Sequence, residues 1–223
     1  YEQRTMTAEE AVQKIKSGNR VVLGHAVGEP CHLVDAMVKN ADAYKDVEIV
    51  HMVAMGKSEY CKPEYKENFR HNSLFVGGPT RKALESGQAD FTPCFFFEVP
   101  KLFRTLLPID VALISVTPPD ENGKCSLGVS VDYTYGAAKS AKLVIAQVNA
   151  KMPRTYGTSL NVSDIDIFVP YDEPVLVLPA PKIGEVEESI GRYCASLIED
   201  GDTLQLGIGA IPDAVLRFLK HKK

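Results

Sequence analysis

Apolar runs of strand length recur along this chain, and each gives way to a turn and then to a stretch with helical spacing. VVL (21–23), VEIVHMV (47–53), VALISV (111–116) and LVIAQV (143–148) are the clearest. Strands separated by helices pair in parallel, because only a crossover connection returns the chain to start a parallel neighbour. VALISV shows no polar alternation, so both of its faces are expected to be buried. The sequence therefore reads as α/β, with an open, mainly parallel sheet flanked by helices.

The elements fall in order. Thr7 and Glu10 form a capping-box pattern ahead of a helix expected to reach about Lys16. Strands are expected over 20–24, 46–53, 73–78, 110–116 and 142–149. Helices are expected from Cys31, where Leu33, Ala36 and Met37 share a face, from Pro79, over 98–106 and over 132–141. Residues 118–128 read as a turn region. Beyond 149 the chain is irregular, with short extended pieces at DIDIFV and VLVLP. A long helix follows over 184–201, then a strand, DTLQLG (202–207). The proline-rich segment 170–181 is the linker candidate, dividing residues 1–180 from 181–223.

Composition excludes several classes. A formal charge of −4 leaves no basic face for nucleic acid. The five cysteines are scattered, with no CxxC pair, which fits a reduced, cytoplasmic compartment. No apolar run reaches the ~18–20 residues that span a bilayer, so no membrane partner is expected.

One pattern occurs twice. KSGNRVVLGHAVGEP (16–30) lies over IEDGDTLQLGIGAIP (198–212), with Gly18 matching Gly201, Gly24 matching Gly207 and, after a one-residue gap, Pro30 matching Pro212. Helix, Ser/Asp-Gly stop, strand, glycine loop and a helix led by the proline recur in that order, which reads as an internal repeat. The first copy fills most of the chain and the second has barely begun at Lys223. The expectation is that the natural protein continues into a second, similar α/β domain, and that these residues are a piece of it.

A strand that enters a helix through a glycine loop presents backbone N–H groups suited to an anion or an oxyanion. The bland reading is a plain strand-to-helix turn. Neither GxGxxG nor GxxxxGK[ST] occurs, so dinucleotide or ATP binding is unsupported.

GHAVGEP, FVGGPTRKALESGQADFTPCFFFEVPKLF, SVTPPDENGKCSLGVSVDY, VIAQVNAKMPRTYG and, most specifically, LIEDGDTLQLGIGAIPDAVLRFL together resemble the acetyl-CoA hydrolase/transferase family, over essentially the whole chain. Within it they most resemble the CoA-transferases that act on 4-hydroxybutyrate, or on butyrate and acetate. The resemblance implies two similar α/β domains in tandem, with the active site in the cleft between them. It implies transfer through a glutamyl-CoA thioester, with acyl-CoA and small carboxylates as partners. Coenzyme A is then a substrate and no cofactor is tightly bound. A homo-oligomer is expected. An acyl-CoA hydrolase on the same fold and a non-enzymatic sugar- or anion-binding domain remain open.

The nucleophilic glutamate is expected beyond Lys223, so no catalytic residue is assigned and the piece alone is expected to be inactive. Gly207, Ile208, Gly209, Ala210 and Ile211 match the family's CoA-contacting loop. By the repeat, Gly24, Ala26, Val27, Gly28 and Glu29 would line the acid side of the cleft. His51, at a strand end, joins them as a candidate.

Other residues have bland readings. His25 and His32 read as capping or solvated side chains, and Glu121 as a turn residue in DENG despite its likeness to a nucleophile motif. Asp164 and Asp166 share a strand face without a third ligand, so no metal site is assigned. Ser58, Glu59 and Tyr60 have no assignment. Asn149 and Arg154 match family positions, Arg154 as an anion contact or a structural ion pair. Cys31, at a helix start, lacks partners for a thiol nucleophile and is taken as core or loop.

Overall fold

The computed structural model describes residues 1–223. It separates into two compact units, Tyr1–Val177 and Leu178–Lys223.

The first unit is built on a seven-stranded sheet. In chain order the strands are β1 (Arg20–Leu23), β2 (Val47–His51), β3 (Phe69–Ser73), β4 (Ala89–Phe91), β5 (Val111–Val116), β7 (Leu143–Val148) and β9 (Ile167–Pro170). Across the sheet they run β4-β3-β2-β1-β5-β7-β9, every neighbouring pair parallel. The chain starts in the middle, works outward to β4, returns to β5 beside β1 and works outward again. The strand order therefore reverses between β1 and β5, and ligands of open parallel sheets bind at the carboxyl ends of the strands at that point.

Alternate side chains of the central strands enter opposite layers. Val21, Leu23, Ile49, Leu113 and Ile145 pack beneath α1 (Ala8–Val12) and α2 (Cys31–Lys39). Val22, Val50, Ala112, Ile114 and Val144 pack beneath α4 (Val99–Arg104) and α5 (Asp132–Ser140). The absence of alternation in VALISV follows directly, since every residue of β5 is buried.

Several boundaries differ from the sequence expectation. The Thr7–Glu10 capping box is present, but α1 stops at Val12, with turns from there to a left-handed Gly18 (φ 74°). The strand expected over 73–78 ends where it was to begin. β3 is FRHNS, polar yet buried except at Arg70, because Asn72 donates to Glu48 (2.8 Å) and accepts from Thr92 (2.8 Å), while His71 donates to the Ile49 carbonyl (3.1 Å). A helix, α3 (Gly78–Glu85), follows. The turn region 118–128 holds β6 (Lys124–Ser126), which pairs antiparallel with β8 (Ser159–Asn161) as a small second sheet. VLVLP adopts no regular structure.

In the second unit, α6 (Glu185–Ala195) packs on α7 (Ala210–Phe218). The close approach needs Gly191, where a Cβ would lie 2.8 Å from the Ala214 backbone. DTLQLG, expected as a strand, is unpaired, since no strand within Leu178–Lys223 can supply its ladder partners. Gly201 is left-handed (φ 88°) like Gly18, as the repeat requires. Pro212, however, lies inside the first turn of α7, whereas Pro30 precedes α2.

Leu113 is fully buried in the centre of the sheet, and Leu106 is 76% exposed. Leu113→Ala is expected to cost about 2–5 kcal/mol, and Leu106→Ala within about 0.5 kcal/mol, of unfolding free energy in urea. Equal losses at the two positions would contradict this core.

Candidate functional site

The loop GHAVGEP leaves β1 at the switch point, and the sheet's ladder extends one residue into it. The Gly24 N–H donates to the Leu113 carbonyl of β5 (2.9 Å). The loop is then held from three sides. Ala26 donates its N–H to Val53 (3.1 Å) in the left-handed conformation (φ 52°). Gly28 sits against α5's entry, where a Cβ would lie 2.6 Å from the Ser130 Cβ. His51 Nε2 donates to the Gly24 carbonyl (3.0 Å). That bond fixes the tautomer, so Nδ1 is the acceptor facing the Tyr60 hydroxyl (3.4 Å).

Beside this loop lies a cavity of about 440 Å³, the size of a small-molecule site. Val27, Glu29 and Cys31 form one wall, residues 55–59 after β2 a second, and residues 173–176 after β9 a third. Ser115 and Asn149, at the ends of β5 and β7, close the floor. The third wall is tied down by Asn149, whose Nδ2 donates to the Glu173 carbonyl (2.7 Å), and by Gln147, which donates to the Glu173 carboxylate (2.6 Å). His32 stacks on Tyr171 at 3.6 Å just before it.

The carboxylates lining the cavity are all engaged. Glu29 is 5% exposed and accepts from the N–H groups of Met55 (3.2 Å) and Gly56 (2.8 Å). Burial raises its pKa, and those two N–H groups hold part of the rise back. Asp35 pairs with Lys57 (2.6 Å), and Glu59 with Lys62. Cys31 also lines the cavity, but burial, and next the Glu29 charge, push its thiol up to about 12, so it stays protonated at neutral pH.

The predicted residues thus separate. Val27 and Glu29 line the cavity, while Gly24, Ala26 and Gly28 shape the loop behind them. His51, expected on the cleft, is fully buried and acts on that loop from inside. His25 is neither capping nor solvated. It is buried and its Nδ1 faces Asp132 (2.9 Å). Burial raises Asp132, but the bonds from His25 and Ser130 outweigh it and hold the carboxyl below its usual value. Arg154 makes a structural pair with Asp120 (3.3 Å) and bonds the Pro118 carbonyl.

Asp164 belongs to a tight turn rather than a strand, and pairs with Lys139 (2.8 Å). Asp166 accepts from the Val144 N–H (2.7 Å). Glu121 is exposed in a turn in which Asp120 accepts from the N–H groups of Asn122 and Lys124. In the second unit Gly207, Ile208, Gly209, Ala210 and Ile211 enter α7, with Gly209 at its N-cap (φ 140°) and Ile208 93% exposed. No helix is long and apolar enough to cross a membrane.

A parallel sheet with a cavity of small-molecule size at its switch point defines an open α/β protein of the kind whose ligands bind at the carboxyl ends of the strands. Residues 1–179 match the acetyl-CoA hydrolase/transferase N-terminal domain, and the chain belongs to that family. It is 64% identical over its whole length to the 4-hydroxybutyrate coenzyme A transferase of Clostridium kluyveri, covering 52% of that protein. Among solved structures it is similar to 4-hydroxybutyrate CoA-transferase from Porphyromonas gingivalis (40% identity, TM-score 0.84, all of this chain and 53% of that one). It is also similar to RipA from Yersinia pestis (29% identity, TM-score 0.94, all of this chain and 55% of that one). The chain spans about half the length of the relatives it matches.

The buried histidines give a pH test. Burial, and next the nearby His25, lower His51 to about 3. Burial, and next His51, lower His71 to about 4. Unfolded, each takes up a proton near 6.5, so between those limits the unfolded state binds more protons. Their contribution is complete above about pH 6.5 and is lost as pH falls, at up to about 1.4 kcal/mol per pH unit for each. His51→Gln, whose amide can still donate to Gly24, is expected to show a shallower decline of unfolding free energy from pH 7 to 5 than the parent. Parallel declines would contradict a neutral buried His51.

Proposed function

We propose that the protein carrying this chain transfers coenzyme A between short-chain carboxylic acids, with 4-hydroxybutyrate or butyrate and acetate as the acids. The supporting observation is the 64% identity, across all 223 residues, to a 4-hydroxybutyrate coenzyme A transferase. A cavity of small-molecule size at the switch point, with room for a short acid, fits that reading. Residues 1–180 act as the first α/β domain and 181–223 open a second.

In the proposed reaction a glutamate oxygen bonds to the thioester carbonyl carbon. The C–S bond breaks, CoA leaves as thiolate, and a mixed anhydride remains. The thiolate sulfur then attacks the glutamyl carbonyl carbon, the first acid leaves as carboxylate, and a glutamyl-CoA thioester forms. An incoming carboxylate runs both steps in reverse. The thioester's free energy is kept as long as water is excluded.

A carboxylate without a hydrogen-bond or ion-pair partner is the stronger nucleophile. Glu29, Asp35, Glu59 and Glu173 are each committed to a hydrogen bond or an ion pair in the cavity wall. This supports a glutamate outside these 223 residues, and an inactive piece without it. Val27 and Glu29 bound the acid's side of the site, and Gly207, Ile208, Gly209, Ala210 and Ile211 contact CoA through backbone N–H groups.

Incubating the whole protein with butyryl-CoA or 4-hydroxybutyryl-CoA and acetate is expected to yield acetyl-CoA, with little loss of total thioester. Residues 1–223 alone are expected to yield none. Release of free CoA at a rate indifferent to acetate would identify a hydrolase instead.

A further inference from the structure

Glu29 belongs to the loop after β1, yet its carboxylate serves the loop after β2. The Met55 and Gly56 N–H groups converge on the same oxygen, Oε2, at 3.2 and 2.8 Å. Gly56 has no Cβ to spare, since one there would lie 2.8 Å from the Glu29 Cδ. A left-handed non-glycine residue stands on each side of this clamp, Ala26 (φ 52°) in the first loop and Ser58 (φ 49°) in the second. Such conformations persist only where the surroundings over-determine them. Both loops are cavity walls.

We propose that Glu29 is a positioning residue, fixing residues 55–59 against residues 24–30 and so setting the width of the cavity that receives the acid. It acts through the backbone of the second loop and does not touch the reacting atoms. Its kinetic consequence rests on the transferase reading above.

The test uses Glu29→Ala, Glu29→Gln and Gly56→Ala in the whole protein. Amide exchange at Met55 and Gly56 is expected to accelerate about tenfold or more in Glu29→Ala, against a small change in Glu29→Gln, whose single carbonyl oxygen can accept both N–H groups. KM for the acid is expected to rise about tenfold in Glu29→Ala, with kcat per folded site altered less than about threefold. The Gln variant should restore KM to within about threefold of the parent. Gly56→Ala should raise KM in the parent and do so less in the Glu29→Ala background, where the colliding carboxylate is gone.

Unaltered exchange at Met55 and Gly56 in Glu29→Ala would overturn the clamp. A lower melting temperature with KM unmoved would show a merely structural residue. Should Glu29→Ala not fold, Glu29→Gln and Gly56→Ala carry the same comparison. A parent protein that transfers no CoA would sink the functional reading alone, and the exchange measurement would still decide whether Glu29 holds the loop.

Discussion

The parallel pairing of β1 with β5 is the constraint on which the rest depends. Val21, Val22 and Leu23 lie beside Val111, Ala112 and Leu113, and Gly24 adds one further bond to Leu113. These strands are far apart in sequence, so their adjacency is what turns the chain's direction of travel. It opens the gap at the carboxyl edge, because the connections from β1 and β5 leave toward opposite sides. A glycine at 24 lets the backbone turn there, where a Cβ would meet the Gly28 carbonyl at 2.8 Å. The helices then cover two apolar faces whose composition was fixed by strands buried on both sides.

Behind the opening, polar groups are buried and matched instead of excluded. Tyr133 donates to the Leu23 carbonyl (2.9 Å), His51 to the Gly24 carbonyl, and His25 meets Asp132. The first two bonds each satisfy a strand-end or loop carbonyl that parallel pairing leaves free. Burial lowers His51 and raises Tyr60 and Tyr133 well above the usual phenol range, so these rings carry no charge at neutral pH. A neutral network avoids the cost of a buried charge while holding the loop's shape.

Legibility in the sequence follows the same physics. Strands that bury both faces announce themselves as apolar runs, so β1, β2, β5 and β7 were readable. β3 was not, because its buried His71 and Asn72 are made tolerable by partners on β2 and near β4 that no local pattern reveals. The antiparallel β6–β8 pair joins two distant stretches of turn and irregular sequence, and DTLQLG read as a strand only because periodicity says nothing of partners. Of the site, Val27 and Glu29 were marked by their glycine loop. Residues 55–59 and 173–176 carry no motif, and only the strand order brings them to the same cavity. The paired glycines, Gly18 with Gly201 and Gly24 with Gly207, signalled the repeat, yet the second copy's proline falls at a different place in its helix.

For the proposed acid substrate, a cavity walled by carboxylates poses an electrostatic problem, since like charges at short range repel strongly away from bulk water. The walls answer it locally. Lys57 offsets Asp35, Lys62 offsets Glu59, and burial raises Glu29 toward its neutral form while two N–H groups share whatever charge remains. Each arrangement that quiets a carboxylate engages one of its oxygens and so stabilises the ground state a nucleophile would have to leave. The residues that make this wall hospitable to an anion are therefore weakened as nucleophiles toward a thioester. Under the proposed transfer the reactive carboxylate has to be a separate group, brought to a cavity whose own acids are already occupied.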